Sequence, residues 1–390
     1  MKKTLLQILP SLDQSGGGVE RGTLDIAKTV IDHGYNSAII SSGGDMAEKY
    51  KYKGVSHHQI KLNKKGFLNF LSSRKQFKKI LDELNPDIIH IRSRWPSFCF
   101  SNMIKKKRIP LVTTYHGTYS GNNFFLKRNY NKFMTKGDKV ISISKFIDDH
   151  IRLFFPDCKN RLVNINRGID TSYFNIDSIS QTRKENFLSS LSIAENTHII
   201  LLPGRITSWK GHEIAVDAAK IISEKKPSLN FLFIFVGSAQ SRDSFLKKLE
   251  KKISKVKLSN RFSFCGHLMD MPAVYSTADI VLSTSTEPEA FGRVSAEASS
   301  MTKPIIATNH GGSREIIENN ITGWLVEPRN PELLADKIIH VLDLPQNKKD
   351  LIGKNARKRI VKKFGLQQML NKTMSVYEEL IEKHKKNSYN

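Results

Sequence analysis

The sequence predicts an α/β protein built as two doubly wound parallel-sheet domains facing a cleft. Short apolar runs alternate with longer amphipathic stretches along almost the whole chain, which argues for parallel sheets covered on both faces. The alternation stops in a polar stretch from Asp170 to about Asn196 and then starts again, so two similar domains are expected. The run Phe231–Val236 has no polar alternation, as a central parallel strand buried on both faces requires.

In chain order, the first half offers strands at Thr4–Leu9, Ser37–Ile40, Ile88–Ile91, Leu111–Thr114, Lys139–Ile143 and Leu162–Ile165. Helical periodicity runs through Glu20–His33, Leu68–Leu84, Asn122–Thr135 and Lys145–Phe154. Within the polar stretch, 183–191 also suits a helix. Strands then follow at Ile199–Pro203, Phe231–Gly237, Arg261–Phe264, Ile280–Ser283 and Pro304–Thr308, and a long helical pattern over Lys348–Lys383 is interrupted near Gly365. Ligands of such sheets bind at the carboxyl ends of the strands.

Composition narrows the classes. The 390 residues suit two cores, and no apolar run approaches the roughly 20 residues of a membrane span. The opening Met1–Pro10 reads as a first strand and not as a signal peptide, because Gln7, Pro10 and Asp13 break its apolar character. Three cysteines, Cys99, Cys158 and Cys265, are widely spaced and outside any CxxC pattern; a reducing cytoplasm fits them better than a disulfide or zinc framework. A net charge of +25 attracts anionic partners without choosing among nucleic acid, membrane and polyanionic substrates.

Five segments could carry chemistry. Gly16-Gly17-Gly18-Val19-Glu20-Arg21 opens a helix after the first strand, where backbone N–H groups and the helix N-terminus favour an anion. Gly204-Arg205, with Lys210-Gly211 close behind, puts two cations beside a helix start, as a diphosphate site needs. Glu289 lies in the loop and Glu297 in the helix of the segment 287–298, which also holds Ala290, Phe291 and Gly292. A glutamate among the small residues Ala296, Ala298, Ser299 and Ser300 needs hydrogen-bond donors, and ribose hydroxyls are such donors. His310-Gly311-Gly312-Ser313-Arg314-Glu315 is another glycine-led helix start, and His116, in Thr114-Tyr115-His116-Gly117-Thr118, ends a strand. Each has a plainer reading as well: a flexible loop, solvated charges or a structural histidine.

Together these elements resemble glycosyltransferase family 4, the retaining enzymes of the GT-B fold, over nearly the whole chain. The resemblance rests on Gly17-Gly18, on Arg205 with Lys210-Gly211, on Glu289-x7-Glu297 around Phe291-Gly292, and on Gly311-Gly312-x2-Glu315. Arg167-Gly168-Ile169-Asp170 is similar to the family's Asn-Gly-Val/Ile-Asp segment, with Arg167 where asparagine is usual. The resemblance implies an acceptor-binding domain over 1–175, a nucleotide-sugar-binding domain over 176–365, and a helix over 366–390 returning to the first. It implies that Arg205 and Lys210 hold the donor diphosphate, that Glu289 with the backbone of Ala290, Phe291 and Gly292 grips the sugar, and that Glu297 holds the ribose. Gly17 and Gly18 would line the acceptor side of the cleft, and His116 would lie near the transferred sugar. Gly204, Gly237 and the turn Gly266-His267-Leu268 would border the nucleotide. It implies transfer with retention, no protein nucleophile, no cofactor and no metal; the chain has no Asp-x-Asp pair. The segment 288–293 looks most like members that build lipopolysaccharide and other envelope glycans, so a lipid-linked or glycan acceptor is expected.

Two basic-aromatic stretches, 62–81 and 124–133, lie in the acceptor half. They suit contact with an anionic membrane from the cytoplasmic side, and equally suit apolar stripes packed on the sheet beneath solvated lysines. Rival functions are a nucleotide-sugar epimerase or glycogen-type synthase on the same fold, a non-catalytic partner subunit, and a nucleic-acid-binding protein. No recognition module supports the last, so nucleic acid is not an expected partner.

Overall fold

The computed structural model describes residues 2–13, 17–51, 54–119, 121–189, 191, 193–194, 196–239 and 243–389. They form two compact units, Met1–Arg167 with Gln367–Asn390, and Gly168–Leu366.

In the first unit the chain runs β1 (Thr4–Ile8), α1 (Gly18–Asp32), β2 (Asn36–Ser41), α2 (Asp45–Lys51), β3 (Val55–Gln59), α3 (Phe67–Leu84), β4 (Ile88–Ile91), α4 (Arg94–Lys106), β5 (Leu111–Tyr115), α5 (Phe125–Lys132), β6 (Lys139–Ser142), α6 (Lys145–Phe154) and β7 (Leu162–Asn164). All seven strands are parallel, in the order β3-β2-β1-β4-β5-β6-β7. The order reverses between β1 and β4, the point where doubly wound sheets open a crevice. Most residues of the inner strands are buried because helices cover both faces; Leu6, Ile8, Ile89, Ile91 and Leu111 pack with Phe77 of α3 and Phe100 of α4.

The second unit runs α7 (Gln181–Leu188), β8 (His198–Pro203), α8 (His212–Lys225), β9 (Phe231–Val236), α9 (Asp243–Lys255), β10 (Phe262–Phe264), α10 (Met271–Thr277), β11 (Ile280–Ser283), α11 (Arg293–Ser300), β12 (Ile305–Thr308), α12 (Ser313–Ile316), β13 (Trp324–Val326), α13 (Pro331–Asp343) and α14 (Gln346–Lys363). Its parallel sheet has the order β10-β9-β8-β11-β12-β13 and reverses between β8 and β11. All six residues of β9 are buried, and its three phenylalanines each contribute about 1.5–3 kcal/mol by leaving water.

The last helix, α15 (Leu366–Tyr389), belongs to the first unit from Gln367 onward. There the Tyr377 hydroxyl lies 2.5 Å from His90 Nδ1, and the other ring nitrogen of His90 lies 2.7 Å from Thr114 Oγ1. The division falls at 167/168, short of the 175/176 expected. Residues 168–174 are tied into the second unit: Ile169 N–H donates to Phe364, Leu366 N–H to Ile169, and Arg357 to the carbonyls of Thr171 and Phe174. The expected helix over 122–135 is shorter, with a 3-10 turn taking Phe133–Thr135.

Candidate active site

In the second unit the candidate residues gather at the carboxyl ends of the strands on either side of the reversal. After β8, the loop 204–211 is fastened to the loop after β11: Thr286 N–H donates to the Trp209 carbonyl at 2.7 Å and Thr284 Oγ1 to the Lys210 carbonyl at 3.3 Å. Gly211 has φ +78°, and a Cβ there would collide with the Thr284 carbonyl, so only glycine lets the loops close this tightly. This brings Lys210 Nζ to 2.6 Å from Glu289 Oε1, which also accepts from Ser285 Oγ. Both side chains of the pair are nine-tenths shielded from solvent. Burial pushes the Glu289 carboxyl up, but the Lys210 charge and the Lys210 and Ser285 hydrogen bonds outweigh it and hold the group below the ordinary glutamate value.

Glu289 is fixed from the other side by β12. The N–H of Gly312 donates to the Glu289 carbonyl at 2.8 Å, and Gly311, at φ +57°, leaves no room for a Cβ against the same backbone. The His310 ring donates from Nε2 to the Ser285 carbonyl at 2.9 Å, and its Nδ1 is buried without a partner among the described residues. Arg205 is exposed at the end of β8. Gly204 and Gly237 donate to the carbonyls of Val236 and Gly266 at 2.8 and 2.7 Å, so three neighbouring strand ends form one rim. His267 is exposed there and Leu268 half-buried. Ala290 is half-buried, Phe291 is buried against Phe364, and Gly292 caps α11.

In the first unit Gly16 lies outside the described residues. Gly17 is the N-cap of α1, with nothing within 4 Å of where its Cβ would stand. Gly18 begins the helix with the Arg167 guanidinium directly above it. His116 follows β5, and both its ring nitrogens are buried without a hydrogen-bond partner among the described residues. Burial, and then the charges of Arg92 and Arg167, keep it far below the usual histidine pKa, so the ring is neutral.

The description "Glycosyltransferase Family 4" matches residues 16–173, and "Glycosyl transferases group 1" matches 183–359. A glycosyltransferase of Rickettsia africae is 35% identical, with a TM-score of 0.88 over 97% of this chain and 99% of that one. The chain belongs to glycosyltransferase family 4. The N-acetyl-alpha-D-glucosaminyl L-malate synthase of Bacillus anthracis is 24% identical, covering 94% of each chain. Anabaena HepE, solved with UDP and glucose, shares the fold at a TM-score of 0.82 and 22% identity, over 97% of this chain and all of that one.

In this glycosyltransferase the Glu297 carboxylate is satisfied from within. It accepts from Arg293 Nε at 2.5 Å and from the Tyr275 hydroxyl at 2.9 Å. The donors that its burial demands are therefore on the protein, and burial of the helix alone does not call for ribose. A carboxylate can accept about four hydrogen bonds, so capacity for a ligand remains.

Sequence reasoning overlooked Ser285, Tyr275 and Arg92. Arg92 had a signal: it is a charged residue directly after an apolar parallel strand. Tyr275 had none, since only the fold brings it to Glu297; Ser285 lies four residues before Glu289, in a loop whose shape no periodic pattern fixes. Among the described residues no group of three His, Cys, Asp or Glu side chains is placed to hold a metal.

Proposed function

We propose that this glycosyltransferase moves a sugar from a nucleoside diphosphate donor to a lipid-linked or glycan acceptor, with retention and without a metal, in envelope polysaccharide or lipopolysaccharide synthesis. The observation that carries this reading is the buried Lys210–Glu289 pair at the reversal point of the second sheet, beside Arg205. Lys210 and Arg205 bind the diphosphate and offset the charge that grows on it as the bond to the sugar carbon breaks, the task a metal ion performs elsewhere. Glu289, held ionised, accepts from sugar hydroxyls, while Gly204, Gly237 and Gly266 shape the rim under the nucleoside and Glu297 takes the ribose. The acceptor oxygen bonds to the sugar carbon on the face that the diphosphate leaves, and its proton passes to a departing phosphate oxygen. His116, neutral and with its ring nitrogens unused, positions the sugar or acceptor on the first unit. The UDP and glucose bound by HepE favour a uridine donor.

The enzyme works at the cytoplasmic face of the membrane in this reading. Phe67, Leu68 and Leu71 of α3, and Phe124, Phe125 and Leu126 at the start of α5, are exposed, whereas Phe77 and Leu81 of the same α3 pack in the core. Lys65 Nζ sits 5.4 Å from the Tyr130 ring of α5, so the two stretches adjoin. Exposed apolar tips among lysines suit an anionic interface. Among the described residues no helix is long and apolar enough to cross a membrane.

Thermal denaturation with UDP, GDP, ADP and their sugar conjugates, with and without chelator, tests the donor. One nucleotide should raise the melting temperature in proportion to its excess over Kd, chelator leaving the shift unchanged. No shift at millimolar nucleotide would defeat the donor reading, a chelator-sensitive shift the metal-free one, and an inverted anomeric carbon in the product, read by NMR, the retention.

A further inference from the structure

The turn that carries Lys210 also carries a tryptophan. After β8 the chain makes a 3-10 turn over Ser208–Lys210, where the Lys210 N–H donates to the Thr207 carbonyl at 3.1 Å, and Gly211 then leads into α8. Successive side chains of such a turn point about 120° apart, so neighbours in sequence do not meet by default. Here they do: the Lys210 stem bends back and sets Nζ 4.5 Å from the centre of the Trp209 ring. A Cβ on Gly204 would stand 3.6 Å from both Cδ and Cε of Lys210, so the stem also runs along bare backbone at the end of β8.

The backbone under the indole is fixed to the rest of the site. The Trp209 carbonyl accepts twice from Thr286, from N–H at 2.7 Å and from Oγ1 at 3.3 Å. Thr286 follows Ser285, whose hydroxyl donates to Glu289. One hydrogen-bonded frame of the second unit thus carries an aromatic face, an ammonium and a carboxylate. Trp209 is half-buried, and only 12% of the Lys210 side chain meets solvent. An ammonium so far out of water needs more than one partner, because a single ion pair barely offsets the lost hydration. Glu289 is one partner, at 2.6 Å. The indole face is the other, attracting the charge through its quadrupole. Of the three N–H donors of the ammonium Glu289 takes one, which leaves capacity for a second oxygen.

We infer that Trp209 is a positioning residue: its face fixes the Lys210 ammonium where it serves Glu289 and a phosphate oxygen of the nucleoside diphosphate together. This rests on the reading of Lys210 as a ligand of the diphosphate. Lysine carries its charge on a flexible four-carbon stem. A stem placed in advance loses less freedom when the anion arrives, and the saving appears as affinity. The indole acts through the charge beside it and not through its bulk, so phenylalanine keeps part of the effect and leucine keeps none.

Calorimetric titration of the full chain with UDP, and in parallel with GDP, tests it on the parent, Trp209→Phe, Trp209→Leu, Lys210→Met and the double variant Trp209→Leu with Lys210→Met. Circular dichroism checks each fold. Trp209→Leu should weaken nucleotide binding about tenfold and Trp209→Phe about threefold, following the strength of the ring faces. On the Lys210→Met background, Trp209→Leu should change Kd less than about twofold, because the charge through which it acts is gone. The inference is overturned if Trp209→Leu binds as the parent does, or if Trp209→Phe binds no better than Trp209→Leu. It is overturned too if Trp209→Leu costs as much on Lys210→Met as on the parent, which would make the indole a stacking surface for the nucleotide or a packing group. A parent that binds neither nucleotide defeats the donor reading and the inference with it, whereas a parent that binds, matched by Trp209→Leu, defeats the inference alone.

Discussion

The two sheets have the same strand order about the reversal point, yet the charged groups collected there are handled in opposite ways. In the second unit each buried acid has its donors on the protein: Glu289 has Lys210 and Ser285, and Glu297 has Arg293 and Tyr275. In the first unit cations accumulate, with Arg92 Nε and the His116 ring buried and unused. A self-satisfied site is preorganised before its ligand arrives, so little rearrangement is needed when charge develops. One architecture thus carries a self-satisfied cluster of acids on one sheet and a cluster of buried, partly unused cationic and imidazole groups on the other.

The largest effect should come from breaking the satisfied pair. Glu289→Ala should lower transfer by about 10²–10³-fold, the range for removing one preorganised charge partner, while the fold survives. Steady-state kinetics with circular dichroism checks this, and unchanged turnover would remove Glu289 from the site. Next, Arg205→Ala with Lys210→Ala should weaken nucleoside diphosphate binding by about 10²-fold, because two charge-assisted contacts of roughly 1.5 kcal/mol each are lost. Calorimetry with UDP or GDP reads it, and an unaltered Kd would show that the diphosphate lies elsewhere.

Acid should separate the units. His90 and His116 in the first unit are held well below the ordinary 6.5 by burial, and His212 in the second is pushed down to about 4, also by burial. Depressed histidines contribute stability that is fully present above about pH 6.5. It is lost as pH falls toward the folded-state value, because the unfolded chain takes the proton first. Each costs about 1.4 kcal/mol per pH unit in that window. His150 of the first unit is also lowered by burial, so with three such groups against one the first unit should lose protection sooner between pH 6.5 and 5. Amide exchange resolved by unit would show it, and equal loss in both would contradict it.

The smallest effect concerns the surface. Replacing any one of Phe124, Phe125 and Leu126 with serine should reduce co-sedimentation with anionic vesicles several-fold, since each apolar tip contributes little more than about 1 kcal/mol at an interface. Melting temperature and UDP binding should not change. Vesicle binding equal to the parent's would return these side chains to the status of ordinary exposed residues.

Much of the fold was legible because its signals are local. Apolar strands such as Phe231–Val236 sit inside short windows, and glycine-led turns mark the strand ends where ligands bind. Of the four edge strands, β7 and β10 were legible, whereas β3 and β13 were not. Four of the five residues in β3 are Ser56, His57, His58 and Gln59, and β13 is only Trp324–Val326. β3 lacks the two buried faces that produce an apolar run, so its sequence looks like a loop, and the three residues of β13 are too few to stand out as a strand. The break near Gly365 was visible, and α14 and α15 meet there.

By itself the sequence determined that two strand–helix series exist, that Arg205, Lys210, Glu289 and Glu297 belong to one of them, and that His116 ends a strand. Tertiary structure alone decided who meets whom. Lys210 reaches a glutamate 79 residues away, and His90 bonds a tyrosine 287 residues on. Arg92 and Arg167 meet over Gly22. The physical reason is range: periodicity and turn chemistry act over a few residues, whereas a contact across a sheet depends on strand order and register, which no local window contains.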